Sequence, residues 1–201
     1  MKPVNAILTK SVAQQLPMST RAVLIQGTST DMDEIKFTIC FCVSGNSVLM
    51  VHRKRQPNQF RWNGIGGKLE PGESPRDGVA REVLEETGID INQAASVDYV
   101  GIVSWPDAPL RGNKAGGMHA FIARFDEASV RWDGVRLSDE GDLAWHPLDW
   151  VCDRSNPSVV DNISHFLPEM LKSTKPHLYR CLYEDGEFRS VEIELLNSET
   201  P

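Results

Sequence analysis

The chain has 201 residues, a formal net charge of -7 and 40% hydrophobic residues, which suits one domain with a sizeable core. The acidic balance argues against a general nucleic-acid surface, because such a surface needs a basic face. No run is long and apolar enough to span a membrane, and the N-terminus lacks the apolar stretch of a secretory signal, so a cytoplasmic location is expected.

In chain order, residues 1–19 are weakly patterned and read as an N-terminal extension, with one domain expected over residues 20–201. Arg21–Gln26, Lys36–Val43 and Ser47–His52 read as strands, and Gly45-Asn46 joins the last two as a hairpin. Cys40 and Cys42 share one face of the second strand. Cys152 and Cys181 are isolated, no zinc spacing is present, and reduced thiols are expected. A basic cluster follows at His52-Arg53-Lys54-Arg55, with Arg61 nearby; it would attract a polyanion without making the whole chain basic.

Trp62-Asn63-Gly64-Ile65-Gly66-Gly67-Lys68 comes next. Glycine lets a backbone turn tightly and approach a ligand closely. The segment is not a P-loop, because Leu69 stands where Ser or Thr would have to follow the lysine. A helix is then predicted over Pro75–Thr87. Ser74 is its N-cap, Pro75 its first residue, Asp77 an acidic partner of the cap and Gly88 its stop. At 3.6 residues per turn, Glu82, Glu85 and Glu86 stand on one side. Val79, Ala80, Val83 and Leu84 are expected to hold the helix against a sheet.

Three adjacent carboxylates repel one another unless something neutralises them. Alone, Glu82–Glu86 would be a solvated acidic turn with Arg81 in partial compensation. That reading leaves Glu73, Gly67 and the glycine-rich entry without a reason. A hard divalent cation accounts for them together: Mg2+ prefers oxygen ligands and typically takes a few carboxylates plus substrate phosphates.

Val97–Ser104 and Met118–Phe125 read as strands around a Pro/Gly-rich loop, Pro106–Gly117, whose length suits a pocket wall. Asp142–His146 is a short strand. Val159–Leu171 is a predicted helix limited or bent by Pro168. Leu178–Tyr183 and Phe188–Leu195 form a terminal hairpin. His119 and His146 fall in strand-like runs and read as structural. The mix suits an α/β sandwich with a mixed sheet.

The spacing from Gly67 to Ile89 is G-x5-E-x7-R-E-U-x-E-E-x-G-U, with Gly67, Glu73, Arg81, Glu82, Glu85, Glu86 and Gly88 fixed and Val83 and Ile89 at the aliphatic U positions. Seven fixed identities arise by chance on the order of once in 10^8 to 10^9 starting points. The match resembles the Nudix box, and the chain is identified as similar to the Nudix hydrolases. The resemblance implies the Nudix fold, an α/β/α sandwich around a mixed sheet. It also implies hydrolysis of a nucleoside diphosphate linked to a further group, with Mg2+ or Mn2+. By the same resemblance Glu82 and Glu86 would ligate the metal, Glu85 directly or through water, and the Gly66 carbonyl would face it. Glu73 would hold the loop and orient the ligands, and Arg81 would support the carboxylates.

Arg53–Ser74 further resembles the MutT-like oxidised purine nucleoside triphosphatases. The matching positions imply substrate contacts by Trp62, Asn63 and Lys68, and base recognition near Asp161 and Asn162. Asn162 also reads as a helix start. Ser138–Val151 resembles the segment that supplies a further acid, which would be Glu140, followed by a strand holding Trp145. The expected reaction is Mg2+-dependent cleavage of a nucleoside triphosphate such as 8-oxo-dGTP to a monophosphate and pyrophosphate. The expected partner is a small nucleotide, without membrane or general nucleic-acid binding, and a homodimer is left open. The alternatives are a Nudix enzyme for ADP-ribose, dinucleoside polyphosphates or capped RNA, and a non-catalytic nucleotide sensor. Pro106 stands one place from the proline that ADP-ribose enzymes tend to carry.

Overall fold

Strands β1 (Thr38–Ser44) and β2 (Ser47–Arg53) are almost wholly buried. Their sequences, TICFCVS and SVLMVHR, are near-continuous apolar runs because both faces of the sheet are covered. Gly45, at φ 56°, and Asn46 join them. The computed structural model describes residues 35–105, 116–126 and 130–196. The expected strand Arg21–Gln26, the N-terminal extension and residues 106–115, with Pro106, lie outside the described residues.

Seven further strands complete the described sheet. They are β3 (Trp62–Asn63), β4 (Ser96–Trp105), β5 (Gly116–Phe125), β6 (Val135–Leu137), β7 (Gly141–Pro147), β8 (His177–Glu184) and β9 (Glu187–Leu195). Their order is β6-β7-β2-β1-β5-β4-β8-β9, with β3 added on β2. β1 runs parallel to β5 and β4 parallel to β8; the other pairs are antiparallel. The sheet is therefore mixed. The last hairpin turns through Asp185 and Gly186, both at positive φ, as a two-residue hairpin loop requires.

Helices cover both faces. α1 (Pro75–Thr87) and the 3-10 turn Ile91–Gln93 pack on Cys40, Cys42, Leu49, Val51, Phe121 and Leu143. α2 (Leu148–Val151) and α3 (Ile163–Lys172) close the other face. There Ile163, Phe166, Leu167 and Met170 meet Ile39, Phe41, Val48, Met50 and Ile122. Alternation along β1 and β2 thus feeds two cores, each side chain leaving on the opposite side from its neighbour. No described helix is long and apolar enough to cross a membrane.

Three expectations change. The helix read over Val159–Leu171 begins only at Ile163. Residues 158–160 are held extended beside β3, because the Trp62 N–H donates to Ser158 O at 2.7 Å and the Val160 N–H to Trp62 O at 3.0 Å. Pro168 lies inside α3 and does not end it. Leu84 does not hold α1 to the sheet. It is 51% exposed, whereas Val79 and Val83 are fully buried, one helix step of about 100° separating 83 from 84.

Candidate active site

α1 begins where its local chemistry dictates. Ser74 Oγ accepts from the Asp77 N–H at 3.1 Å and donates to Asp77 Oδ2 at 2.7 Å. The helix ends at Gly88, φ 74°, whose N–H donates to Leu84 O. Thr87 Oγ1 donates to Val83 O at 2.6 Å and accepts from the Ile89 N–H. These caps fix the rotation of α1, and with it the direction of its glutamates.

Arg81 sits at the centre of the acidic face. Its guanidinium donates to both oxygens of Glu73 at 2.9 and 3.0 Å, to Glu82 Oε1 at 2.9 Å and to Glu85 Oε2 at 3.1 Å. A fifth bond reaches the Lys68 carbonyl at 3.0 Å. Glu73 Oε2 also accepts from the Glu70 N–H at 2.9 Å. Arg81 therefore ties the loop before the helix to the helix itself. Its hydrogen bonds, joined by that of Glu70, hold the Glu73 carboxyl below the usual range. Burial pushes the Glu82 carboxyl up against the opposing pull of Arg81.

Glu86 lies outside this network. Its Oε2 is buried and has no hydrogen-bond partner. Burial first, then the charges of Glu82 and Glu140, push its carboxyl up to about 8, against the opposing effects of Arg53 and the Gly66 amide. A buried, under-partnered carboxylate is costly, and a bound cation is one of the few things that offsets it. Among the described residues no three acidic, thiol or imidazole side chains already stand together as a ligand set. Glu82 and Glu85 both turn to Arg81 instead.

The glycine loop is more ordered than a turn. Asn63 pairs with Val51 and Trp62 with His52, while Ile65 and Lys68 bridge to Cys40 and Phe37. Gly66 has φ +146°, and a Cβ there would lie 2.3 Å from the Thr38 carbonyl. A Cβ on Gly67 would lie 2.6 Å from the Glu82 carboxylate. The backbone thus comes directly against the acidic face, as glycine permits. The Lys68 side chain is exposed beside it.

Glu140 stands in the turn between β6 and β7. The β2–β7 register sets Arg53 opposite Gly141 and so brings this turn to the end of β2. Arg55 Nη1 is 3.5 Å from Glu140 Oε1. Sequence spacing placed Glu140 far from the box; the sheet register brings it within electrostatic reach of Glu86.

Trp62 belongs to an aromatic group. Its ring meets His146 edge-on at 4.2 Å and lies 4.9 Å from His52, while His146 stacks on Trp150 at 4.3 Å. Beside β3 is a cavity of about 230 Å³, lined in part by Arg61, Arg154, Asn156, Val160, Asp161 and Ser164. Arg61 and Asp161 approach to 3.4 Å across it. Asn162 holds the position before α3, but its side chain makes no cap. It is buried, and its Nδ2 donates to the Tyr183 hydroxyl at 3.0 Å. Arg61, expected only as part of the basic cluster, lines this cavity together with Asn156, which the sequence did not single out; their approach depends on the Trp62–Val159 bridge, for which no local signal exists.

The remaining groups are structural in placement. His119 is buried with Nδ1 3.2 Å from the Tyr99 hydroxyl, and Trp145 lies in β7 against Trp132. All four cysteines are free, with the Cys40 and Cys42 sulfurs 3.9 Å apart.

Comparison with known proteins bears on the family and the fold. The model of the NUDIX domain family matches residues 34–170. The chain is 30% identical over 122 residues to the oxidized purine nucleoside triphosphate hydrolase of Mus musculus, covering 56% of this chain and 77% of that protein. It is 32% identical over 138 residues to the Nudix hydrolase YvcI of Bacillus subtilis, covering 68% and 79%. Among solved structures it resembles the MutT protein of Bacillus halodurans with a TM-score of 0.60 at 25% identity, covering 78% of this chain and 95% of that one. A family match over that span, on an α/β fold with an unbroken box, has one meaning: the chain belongs to the Nudix family, and is one of its pyrophosphohydrolases.

Proposed function

We propose that the chain cleaves an oxidised purine nucleoside triphosphate, 8-oxo-dGTP or a near relative, to the monophosphate and pyrophosphate with Mg2+ bound at α1. The observation that carries this reading is Glu86, whose buried Oε2 has no partner and faces the charges of Glu82 and Glu140. Glu82, Glu85 and Glu86 are the residues that would hold Mg2+ or Mn2+, and the Gly66 carbonyl is the backbone oxygen that would join them. When bound, the cation lowers the pKa of the attacking water and neutralises charge on the phosphates. Arg81 and Glu73 brace the carboxylates, and Gly67 leaves room for the Glu82 head group. Glu140 or one of the α1 glutamates takes the water's proton as its oxygen joins phosphorus and the anhydride oxygen leaves.

The substrate assignment draws on the name of the mouse relative and on the cavity beside Trp62–Asn63. There Arg61 and Asp161 offer a donor and an acceptor to a base. Lys68, exposed beside Gly67, and Arg53, whose charge acts on Glu86, are the cations that would meet the phosphates.

The test is a nucleotide panel with Mg2+: 8-oxo-dGTP, the four dNTPs, ADP-ribose and Ap4A, compared by kcat/KM. The expected result is a preference for the oxidised purine of at least about tenfold, a difference of about 1.4 kcal/mol in transition-state binding. A preference for ADP-ribose would reassign the substrate, and hydrolysis of none would leave a nucleotide-binding role.

A further inference from the structure

Lys54 lies one residue beyond β2, where two loops meet. Its main-chain N–H donates to the Glu140 carbonyl at 3.3 Å, and its own carbonyl accepts from Gln59 Nε2 at 2.9 Å. Its ammonium donates to the Ser138 carbonyl at 3.1 Å and pairs with Asp142 Oδ1 at 3.0 Å. Ser138 and Asp142 flank Glu140 by two residues on either side, so one lysine grips the turn before, at and after the glutamate.

The turn is otherwise small. Ser138 Oγ donates to Gly141 O at 2.7 Å and accepts from the Gly141 N–H at 3.3 Å. Gly141 lies so close to β2 that a Cβ there would sit 2.3 Å from the His52 carbonyl. The direct hold on the Glu140 carboxylate is weaker. Arg55 is 3.5 Å away, and the two side chains are 70% and 49% exposed, where ion pairs contribute little.

We propose that Lys54 is a positioning residue for Glu140. It fixes the 138–142 turn so that the Glu140 carboxylate stays within electrostatic reach of the α1 glutamates. Through Gln59 it also couples that turn to the 54–61 loop, which leads into Trp62 and Asn63. Lysine suits the task, since its ammonium donates in several directions and here meets a carbonyl and a carboxylate at once. The Lys54 and Asp142 side chains are 48% and 33% exposed, and Asp142 Oδ1, though buried, accepts no hydrogen bond from the ammonium, so the pair acts through charge alone and global stability depends on it only modestly. Rate does depend on it, because a small displacement of a reacting group lowers rate far more than it lowers stability. The proposal rests on the reading that Glu140 serves the reaction.

The experiment compares Lys54→Met, Lys54→Arg, Glu140→Gln and the Lys54→Met/Glu140→Gln double variant with the unaltered protein. It uses Mg2+ and the fastest nucleotide of the panel, with thermal melting and amide exchange of residues 138–142 measured alongside. Lys54→Met is expected to lower kcat roughly ten- to hundredfold with little change in KM. Melting should move by no more than about 3 °C, and exchange in the turn should speed up. Lys54→Arg should restore most of kcat, and the double variant should be no slower than Glu140→Gln alone. Full kcat in Lys54→Met beside a slow Glu140→Gln would overturn the role of Lys54 and leave that of Glu140 standing. Losses that simply multiply in the double variant would also overturn it. Full activity in Glu140→Gln would remove the reading of Glu140, and the role of Lys54 with it.

Discussion

Glu86→Gln is expected to lower turnover by about 10^3-fold or more while the protein stays folded and melts no lower than the unaltered chain. The two halves of that result come from the same atoms. Glu86 is partly buried, its Oε2 has no partner, and Glu82 and Glu140 add like charge. Replacing the carboxylate by an isosteric amide removes repulsion and breaks no hydrogen bond to Arg81, because Arg81 bonds Glu73, Glu82 and Glu85 instead. The amide is a poor ligand for a hard cation. Losing several kcal/mol of charge stabilisation at the phosphates corresponds to a loss of about 10^3-fold or more. Steady-state kinetics and a melting curve on the same preparation check it. Near-normal turnover would remove Glu86 from the metal site.

Arg81→Ala should fail in the opposite pattern, losing stability and activity together. Arg81 is 24% exposed and its partners Glu73 and Glu82 are 13% and 14% exposed. Removing it leaves three carboxylates without a counter-charge and the Lys68 carbonyl without a donor. Breaking a fully buried pair costs about 3–5 kcal/mol, and partial exposure reduces that to about 2–3 kcal/mol here. For a domain of this size that is a drop in Tm of about 4–12 °C. Arg81→Lys should recover little, because an ammonium cannot reproduce the two-pronged contact with Glu73 and the separate reach to Glu82, Glu85 and Lys68. Calorimetry of both variants checks this. An Arg81→Ala protein as stable as the original would mean the network does not hold the loop to α1. Together the two variants separate a residue that braces the site from one that the site acts through.

The parts of the molecule legible in the sequence are those with local causes. Ser74, Pro75, Asp77 and Gly88 define α1 to the residue, because caps and stops act within one helical turn. The β1–β2 hairpin follows from two apolar runs meeting at Gly45-Asn46, and the last hairpin from strand-like segments meeting at Asp185-Gly186. Where distant backbone competes, local reading fails. Val159 and Val160 have a helical context, yet Trp62 draws them into an extended pairing and α3 starts late. β6 was not legible because Val135, Arg136 and Leu137 are all exposed and show no buried face to alternate against.

The same division runs through the site. The box spacing gathers Glu73, Arg81, Glu82, Glu85 and Glu86 because one helix and its entry loop carry them all. Glu140 comes near Glu86 only through the β2–β7 register, which no short stretch of sequence encodes. Arg61 and Asp161 stand 100 residues apart along the chain, and their approach depends on β3. Asn162 illustrates the limit most plainly. Its residue type suits a cap, but the Tyr183 hydroxyl on β8 takes its amide instead.

The central claim is that a divalent cation at the Glu82–Glu86 face carries the reaction. The most direct measurement strips the protein with a chelator and follows pyrophosphate release from the fastest nucleotide of the panel as Mg2+ or Mn2+ is added back. Turnover should vanish on stripping and return saturably with either ion, and Glu86→Gln should not regain it at any concentration. Undiminished turnover by the stripped protein, or full recovery in Glu86→Gln, would contradict the account.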